Sequence, residues 1–426
     1  MAEQVSSLKT GIKYKDTPIG KIPVDWEVIS LRDVSKINMG QSPPSEDCNE
    51  KEEGLPFYQG NAEFGSKYPN PKKWCEKPKK IADEGDILIS VRAPVGEINI
   101  APHKCCIGRG LAAITAKSIH SQFLYHLLFL RRKYLQKISQ GSTFEAINSK
   151  ELSALLIFLP AVTEQKKIAE ILTTLDEAIE KTEQIIEKSK ETKKGLMQRL
   201  LTRGIGHKEF KKTEIGEIPI EWEVVKLKDV AASQKYSFVD GPFGSNLKSI
   251  HYTKQGIPVI QSQSIISGVF KPAEEFYVSE QKARELERSK VLPGDIVIAK
   301  IGVNYGASGT IPKNYPPAVL SGNTMKITPD PDKVTTEFLQ YLLHYFRVIK
   351  VFDKIVSTTA QPAITLEGTR KIMIPLPPLP EQKQIAGILS SVDQEIEEET
   401  GHREQLELLK KGLMQVLLTG KIRVIV

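Results

Sequence analysis

The chain has 426 residues, of which 40% are apolar and 26% charged, with a formal net charge of +7. That length exceeds one ordinary domain of roughly 100 to 200 residues and is apolar enough to support real cores. Residues Met1 to Gly11 have no apolar core region, and the longest apolar stretch, Ala154 to Pro160, falls far short of the roughly 20 residues of a membrane span, so a soluble, cytoplasmic protein that is not exported is expected.

In chain order, the first landmark is Thr17-Pro-Ile-Gly-Lys-Ile-Pro-Val-Asp-Trp-Glu-Val, followed by Leu-x-Asp-Val. A strand-like apolar run then leads to Gln59 and Asn61, and Lys72, Lys73, Lys77, Lys79 and Lys80 flank Trp74. Gly85-Asp-Ile-Leu-Ile opens a strand over Asp86 to Val91, with Arg92 just past its end and Arg109 nearby in sequence. The cysteines, Cys48, Cys75, Cys105 and Cys106, form no CxxC pair and have no histidine at ligand spacing, which reads as reduced thiols and not as zinc. A helix is expected near Gln122 to Ile138, followed by a long one from Glu164.

The same order then begins again. Thr213-Glu-Ile-Gly-Glu-Ile-Pro-Ile-Glu-Trp-Glu-Val repeats the first landmark 196 positions later, and Gly294-Asp-Ile-Val-Ile repeats Gly85-Asp-Ile-Leu-Ile. Glu164-Gln-Lys with Ile168-Ala169 and Ile171-Leu172 recurs as Glu381-Gln-Lys with Ile385-Ala386 and Ile388-Leu389. Gly195-Leu-Met-Gln returns as Gly412-Leu-Met-Gln. The chain is a tandem duplication, and each copy opens with a mixed α/β domain of roughly 150 residues. Between the repeats the second copy carries an extra Gly-rich stretch, Asp240-Gly-Pro-Phe-Gly-Ser-Asn-Leu-Lys, whose nearest counterpart is Gly40-Gln-Ser-Pro-Pro. Gln261 and Gln263 align with Gln59 and Asn61. Lys300, past the strand Ile296 to Ala299, is set against Arg92, with Asn304 and Asn323 nearby and a helix over Glu337 to Ile355.

Each copy ends in a long amphipathic helix. Apolar residues at 168, 172, 175, 179, 186, 196 and 200, and Ile385, Leu389, Val392, Ile396, Leu406, Leu413 and Leu417, follow 3-4 spacing. Thr163 is a good N-cap for the first helix, and Pro380 suits the first turn of the second. Helices of that length, on the order of 55 Å, cannot bury their seams on a small domain, so each is expected to pair with its duplicate. Thr182, Ser189, Lys193, Glu399, Arg403 and Lys410 interrupt the seam and either fix register or face a further partner. The resulting plan is a domain over 1–157, a helix over 158–206, a second domain over 207–374 and a second helix over 375–426. Residues 164–200 carry 8 basic and 8 acidic groups and residues 381–417 carry 4 and 8, which leaves +11 on the rest of the chain, where a polyanion would be met.

No catalytic set stands out. A methyltransferase needs an Asn/Asp-Pro-Pro-aromatic signature, and Ser42-Pro-Pro-Ser lacks both the amide and the ring; Thr419-Gly-Lys-Ile lacks the first glycine and the hydroxyl of a nucleotide loop. Two landmarks, Ile-Gly-x-Ile-Pro-x-x-Trp-Glu-Val-x-x-Leu-x-Asp-Val and Pro-x-x-x-Glu-Gln-x-x-Ile-Ala-x-Ile-Leu, each present twice, resemble those of the specificity subunit of type I restriction-modification enzymes over nearly the whole chain.

That resemblance implies two target recognition domains, each reading one part of a split asymmetric site, joined by two long helices in an antiparallel coiled coil that sets the spacer. It implies double-stranded DNA, two modification subunits and, through the complex, restriction subunits as partners. S-adenosylmethionine, ATP and Mg are expected on those partners and no cofactor on this chain. Polar groups suited to base edges or phosphates are Gln59, Asn61, Lys72, Lys73, Arg92, Arg109, Asn246, Lys248, Gln261, Gln263, Lys300, Asn304 and Asn323. Leu196, Met197, Leu413 and Met414 either dock the modification subunits or pack the helix ends on the globular domains. Two other readings remain open at this point: a self-sufficient DNA methyltransferase, and a coiled-coil scaffold that binds proteins.

Overall fold

In the computed structural model the described residues are 13–139, 145–266, 268–272, 276–357 and 362–424; the opening segment Met1 to Gly11 lies outside them. They fall into two compact units, residues 1–184 with 400–426, and residues 185–399. Each unit therefore holds one globular domain together with part of each long helix.

In the first unit the opening landmark folds as a ribbon of Tyr14–Thr17 on Gly20–Pro23. Glu27–Ser30 then pairs with Leu156–Leu159, so the start and the end of the domain lie side by side. An antiparallel four-stranded sheet runs in the order Ile98–Ile100, Ile87–Ser90, Leu111–Ala116, Ser35–Met39. A five-stranded sheet runs Cys48–Asn49, Lys73–Cys75, Leu55–Tyr58, Cys105–Ile107, Ile81–Ala82, with a parallel pairing between Leu55–Tyr58 and Cys105–Ile107. Helix α1 (Ser121–Ser139) lays Phe123, Leu124, Leu127 and Leu128 on Ile87, Ile89 and Ile114, because apolar residues at i, i+1, i+4 and i+5 share one face.

The second unit repeats this topology and adds two short ribbons, Ile265–Ile266 on Val269–Phe270 and Val356–Ser357 on Ala363–Ile364. Its four-stranded sheet runs Ser308–Thr310, Ile296–Ala299, Thr324–Ile327, Phe238–Asp240, and its five-stranded sheet runs Tyr252–Thr253, Tyr277–Val278, Ile257–Ile260, Ala318–Leu320, Lys290–Val291. The helix expected over 337–355 ends sooner, at Val348, because Lys350 adopts a left-handed conformation (φ 60°) and the chain continues as a 3-10 turn over Val351–Ile355.

The long helices are α2 (Val162–Arg203, 42 residues) and α4 (Leu379–Leu417, 39 residues), with α3 (Thr336–Val348) between them. At about 1.5 Å per residue each of the two is about 60 Å long. Thr163 is not the N-cap. Gln165 N–H bonds to Ala161 O at 2.9 Å, so the helix begins at Val162, two residues earlier than a Thr163 cap would give, and Thr163 lies inside its first turn. Pro380 does occupy the first turn of α4, where its missing N–H has no intrahelical partner to lose.

The helices run antiparallel inside each unit. In the first, Ile168 and Leu172 share a core with Met414 and Leu417, and Asp176 is ion-paired with Lys410. In the second, Met197 and Leu201 share a core with Ile385 and Leu389, and Lys193 reaches Asp393 at 2.5 Å. Lys193 and Lys410, which break the apolar seam in the sequence, thus make the same ion pair in the two copies and hold the register. Thr182, 5% exposed, turns its hydroxyl back to Ala178 O at 3.0 Å and so is tolerated in the seam.

What joins helix to domain is a buried carboxylate. Glu164, 2% exposed, accepts the indole N–H of Trp26 at 3.0 Å and the guanidinium of Arg423 at 2.6 and 2.8 Å. In the second copy Glu381 accepts Trp222 Nε1–H at 2.9 Å, His207 Nε2 at 2.8 Å and the Ile205 N–H at 3.0 Å. The adjoining Gln165 accepts His120 N–H and donates to Pro160 O; Gln382 accepts Thr335 N–H and donates to Pro377 O and Lys333 O. Each helix leaves through a left-handed glycine, Gly204 (φ 64°) or Gly420 (φ 69°), where a Cβ would collide with Trp222 or approach Trp26.

Replacing Glu164 with Ala leaves Trp26 Nε1 and Arg423 without their acceptor and is expected to cost about 3 kcal/mol; urea unfolding of the variant should show it as a lowered midpoint.

His126 on α1 is 1% exposed, with Nδ1 3.9 Å from Asp176 Oδ2 but without a hydrogen-bond partner among the described residues, and Nε2 3.5 Å from Thr173 Oγ1. Burial, helped by the charges of Lys410 and Lys67, pushes its pKa down from 6.5 to about 3, so it is neutral in the fold. The unfolded chain then binds a proton that the folded one refuses. Stability contributed by His126 is present above pH 6.5 and falls as the pH drops toward 3, by up to about 1.4 kcal/mol per pH unit. Denaturant midpoints measured from pH 7 to pH 4 should fall less steeply for His126→Leu than for the parent chain.

Candidate nucleic-acid interface

Close backbone approach brings three loops of the first unit to one edge. Gly40 N–H bonds to Leu111 O at 2.9 Å, Gly108 N–H to Tyr58 O at 2.8 Å and Gly110 N–H to Gln59 O at 3.1 Å. A Cβ on Gly40 would collide with Gly108 O, and one on Gly108 would lie 2.9 Å from Gln59 Cα, so only glycine lets these segments meet. Beside them is a concavity of about 710 Å³ lined by Ser42, Cys48, Phe57, Gln59, Lys73 and Arg109 among others. Ser42 Oγ is 2.9 Å from Gln59 Oε1 and accepts the Arg109 N–H at 3.2 Å.

Three of the residues singled out in the sequence, Gln59, Lys73 and Arg109, thus meet in one cavity. Lys72 is exposed next to Lys73, Asn61 opens a 3-10 turn over Asn61–Glu63, and Arg92 is exposed at the end of its strand. Burial pushes Tyr58, under Gln59, up to about 12 and raises Cys48 above the usual thiol range, so both are neutral here. The four cysteines are free. Among the described residues no group of three or more His, Cys, Asp or Glu could hold a metal ion, and no helix is long and apolar enough to cross a membrane.

The second unit builds the same edge with other side chains. Gly241 N–H bonds to Thr324 O, Ser321 N–H to Ile260 O and Lys300 N–H to Asn323 O, at 2.8, 2.9 and 2.8 Å. Asn246 and Lys248 are exposed beyond Gly241, in a stretch where Phe243 is 64% exposed. Gln261 is half-buried and donates to Tyr252 Oη at 3.3 Å; Gln263 and Asn323 are exposed and Asn304 is half-buried.

The pairing of Arg92 with Lys300 is off by one residue. Val91 N–H bonds to Gly110 O as Lys300 N–H bonds to Asn323 O, and Arg92 bridges Ala146 as Ile301 bridges Ala363. Lys300 is therefore the counterpart of Val91. One step along an extended strand reverses the side chain, so Lys300 turns inward, its side chain 15% exposed, and binds Asp240 at 3.1 Å. Asp240 also takes the guanidinium of Arg288 at 2.9 Å, which leaves Arg288 46% exposed at this edge. Sequence reasoning missed Arg288 and Ser42. Neither stands in a repeated motif, and Arg288 lies 48 residues from the carboxylate that holds it.

Met197 and Met414 are 5% exposed, inside the cores that contain Trp222 and Trp26, with Leu196 and Leu413 packed against them. In this structure the repeated Gly-Leu-Met-Gln segments pack the far ends of the long helices onto the globular domains.

A family model described as type I restriction modification DNA specificity domain matches residues 23–190 and 219–408. The chain belongs to this family. It is 31% identical over 413 residues to the type I restriction enzyme MjaVIII specificity subunit of Methanocaldococcus jannaschii, covering 95% of this chain and 94% of that one. A putative MjaX specificity subunit from the same organism is 46% identical over 193 residues, 44% of this chain and 45% of the other. Among solved structures, the S subunit of a type I restriction-modification system from M. genitalium aligns over 96% of this chain and 99% of its own, with a TM-score of 0.58 at 16% identity. Two family repeats in one chain match the two units built on one topology, and the fold is that of the specificity subunits: mixed α/β domains joined by two long helices that pair antiparallel.

Neutralising the two cations should separate their roles. Lys300→Met leaves Asp240 with Arg288 alone in a nearly closed site and is expected to lower stability by about 1 to 3 kcal/mol. Arg92→Ala should stay within about 0.5 kcal/mol, as surface substitutions do. Thermal melts of the two variants would compare them.

Proposed function

We propose that the chain is the sequence-reading, non-catalytic subunit of a type I restriction-modification complex, each unit reading one part of a bipartite asymmetric site in double-stranded DNA. The observation that carries this reading is one three-loop edge built twice on one frame, with Gln59, Lys73 and Arg109 on it in the first unit and Gln261, Arg288 and Asn323 in the second. An equal frame gives equal docking; unequal side chains give unequal half-sites.

The paired helices set the length of the unread spacer. Two modification subunits supply adenine methylation with S-adenosylmethionine, and restriction subunits supply ATP- and Mg-dependent translocation and cleavage; all of this chemistry belongs to a cytoplasmic complex and none to this chain. Arg92, Lys72, Asn61, Asn246, Lys248, Gln263 and Asn304 serve as further backbone or base contacts at the same edges. Lys300 acts through Asp240 on the position of Arg288.

Selection from a random duplex library by the chain with its modification subunits should return two short fixed sequences separated by a gap of constant length. Exchanging residues 209–372 for those of a relative should change one of the two and leave the other intact. Loss of both together, or a gap of variable length, would overturn the division of labour; methyl transfer by the chain alone would overturn its non-catalytic role.

A further inference from the structure

We infer that the first unit requires a guanine in its half-site, read in the major groove by the amide of Gln59, whose polarity is set by Ser42. The inference rests on the DNA-reading function proposed above.

A free glutamine side chain offers both a donor and an acceptor, which suits adenine, whose major-groove edge has an N6 amine beside the N7 acceptor. Gln59 is not free in this sense. The Arg109 backbone N–H can only donate, and it reaches Ser42 Oγ at 3.2 Å. The serine hydroxyl, having accepted that bond, gives its own proton to Gln59 Oε1 at 2.9 Å. One lone pair of the amide oxygen is thereby engaged, while Nε2, a donor only, has no hydrogen-bond partner among the described residues.

The rest of the wall has the same polarity. Arg109 and Lys73 bring donors without acceptors, and among the described residues neither side chain has a hydrogen-bond or ion-pair partner. Three cations, Lys51, Lys73 and Arg109, line the cavity against one carboxylate, the exposed Glu50. A surface of donors is complementary to guanine, which presents N7 and O6 side by side as acceptors, where thymine presents O4 alone beside its methyl group. It is mismatched to adenine N6 and cytosine N4, which would place amine against amine.

The second unit lacks this device. Gly40 and Gly241 are equivalent, so the place of Ser42 is taken by Phe243, and Gln261 spends its amine on Tyr252 Oη.

The test uses the complex of the full chain with its modification subunits and the duplex obtained by selection, with 7-deazaguanine placed at each guanine of the half-site that the residue 209–372 exchange leaves unchanged. One position should lose about tenfold in affinity, the scale of a base-edge contact. Gln59→Leu should abolish the preference for guanine there and lose nothing further to 7-deazaguanine. Ser42→Ala, which frees the amide to turn, should admit adenine at that position without weakening the other half-site.

A half-site without guanine, tolerance of 7-deazaguanine at every guanine, or a Gln59-dependent position that is adenine, cytosine or thymine would each overturn the inference. The substitutions in the DNA need no variant, so misfolding of Gln59→Leu would not blunt the result. Failure of the parent complex to select any sequence would instead fell the proposed function itself.

Discussion

The arrangement rests on a carboxylate withdrawn from solvent. Glu164 and Glu381 each stand in the first turn of a helix of about 60 Å, where the helix dipole favours negative charge, but burial of Glu164 and half-burial of Glu381 withdraw the solvation that a carboxylate needs. The debt is met by an indole N–H from the opening segment of the same domain and by a second side-chain donor that follows the end of the other long helix. One side chain thus ties together the beginning of a domain, the start of its own helix and the exit of the other. The neighbouring glutamine adds the first turn of α1 or α3 to the same knot, since its amide spans two backbone segments. The Trp-Glu-Val and Glu-Gln-Lys motifs recur because they are the two faces of this contact.

With the frame held in this way, the reading edges can differ. The loops that meet at each edge are brought in by glycine backbones and by main-chain hydrogen bonds, which are indifferent to the side chains that they carry. Ser42 and Phe243, or Val91 and Lys300, therefore occupy equivalent places without disturbing the sheets. The second donor at the knot also varies, Arg423 in one copy and His207 in the other, since any donor that reaches the carboxylate serves.

Much of this frame was legible in the sequence. The duplication, the amphipathic period of the long helices and the strands over residues 87–90 and 296–299 come from local patterns, and local patterns survive without coordinates. What could not be read was the partner of each pattern. Trp26 and Glu164 are 138 residues apart, and nothing in either motif announces the other. Lys300 shows the limit most clearly: its place at a strand end was legible, its direction was not, because a strand reverses sides at every residue and the copies differ in length before it. Gln59 and Arg109 were visible as polar residues near turns, but the hydroxyl between them, which sets what the amide can read, emerges only when loops 17 and 67 residues away from it close together.

The compact units do not follow the order of the chain. Residues 400–426 complete the unit that begins at the N-terminus, after the whole of the intervening unit, residues 185–399, has been made. During synthesis the domain that emerges first must wait longest: Glu164 has Trp26 at once, but Arg423, Met414 and Leu417 arrive only when α4 is finished. The second domain has α2 and His207 behind it before its own strands appear, and so it has its full set of contacts as soon as the first half of α4 is made. A ribosome that stops within α4 would therefore release a chain whose damage lies in the half translated first.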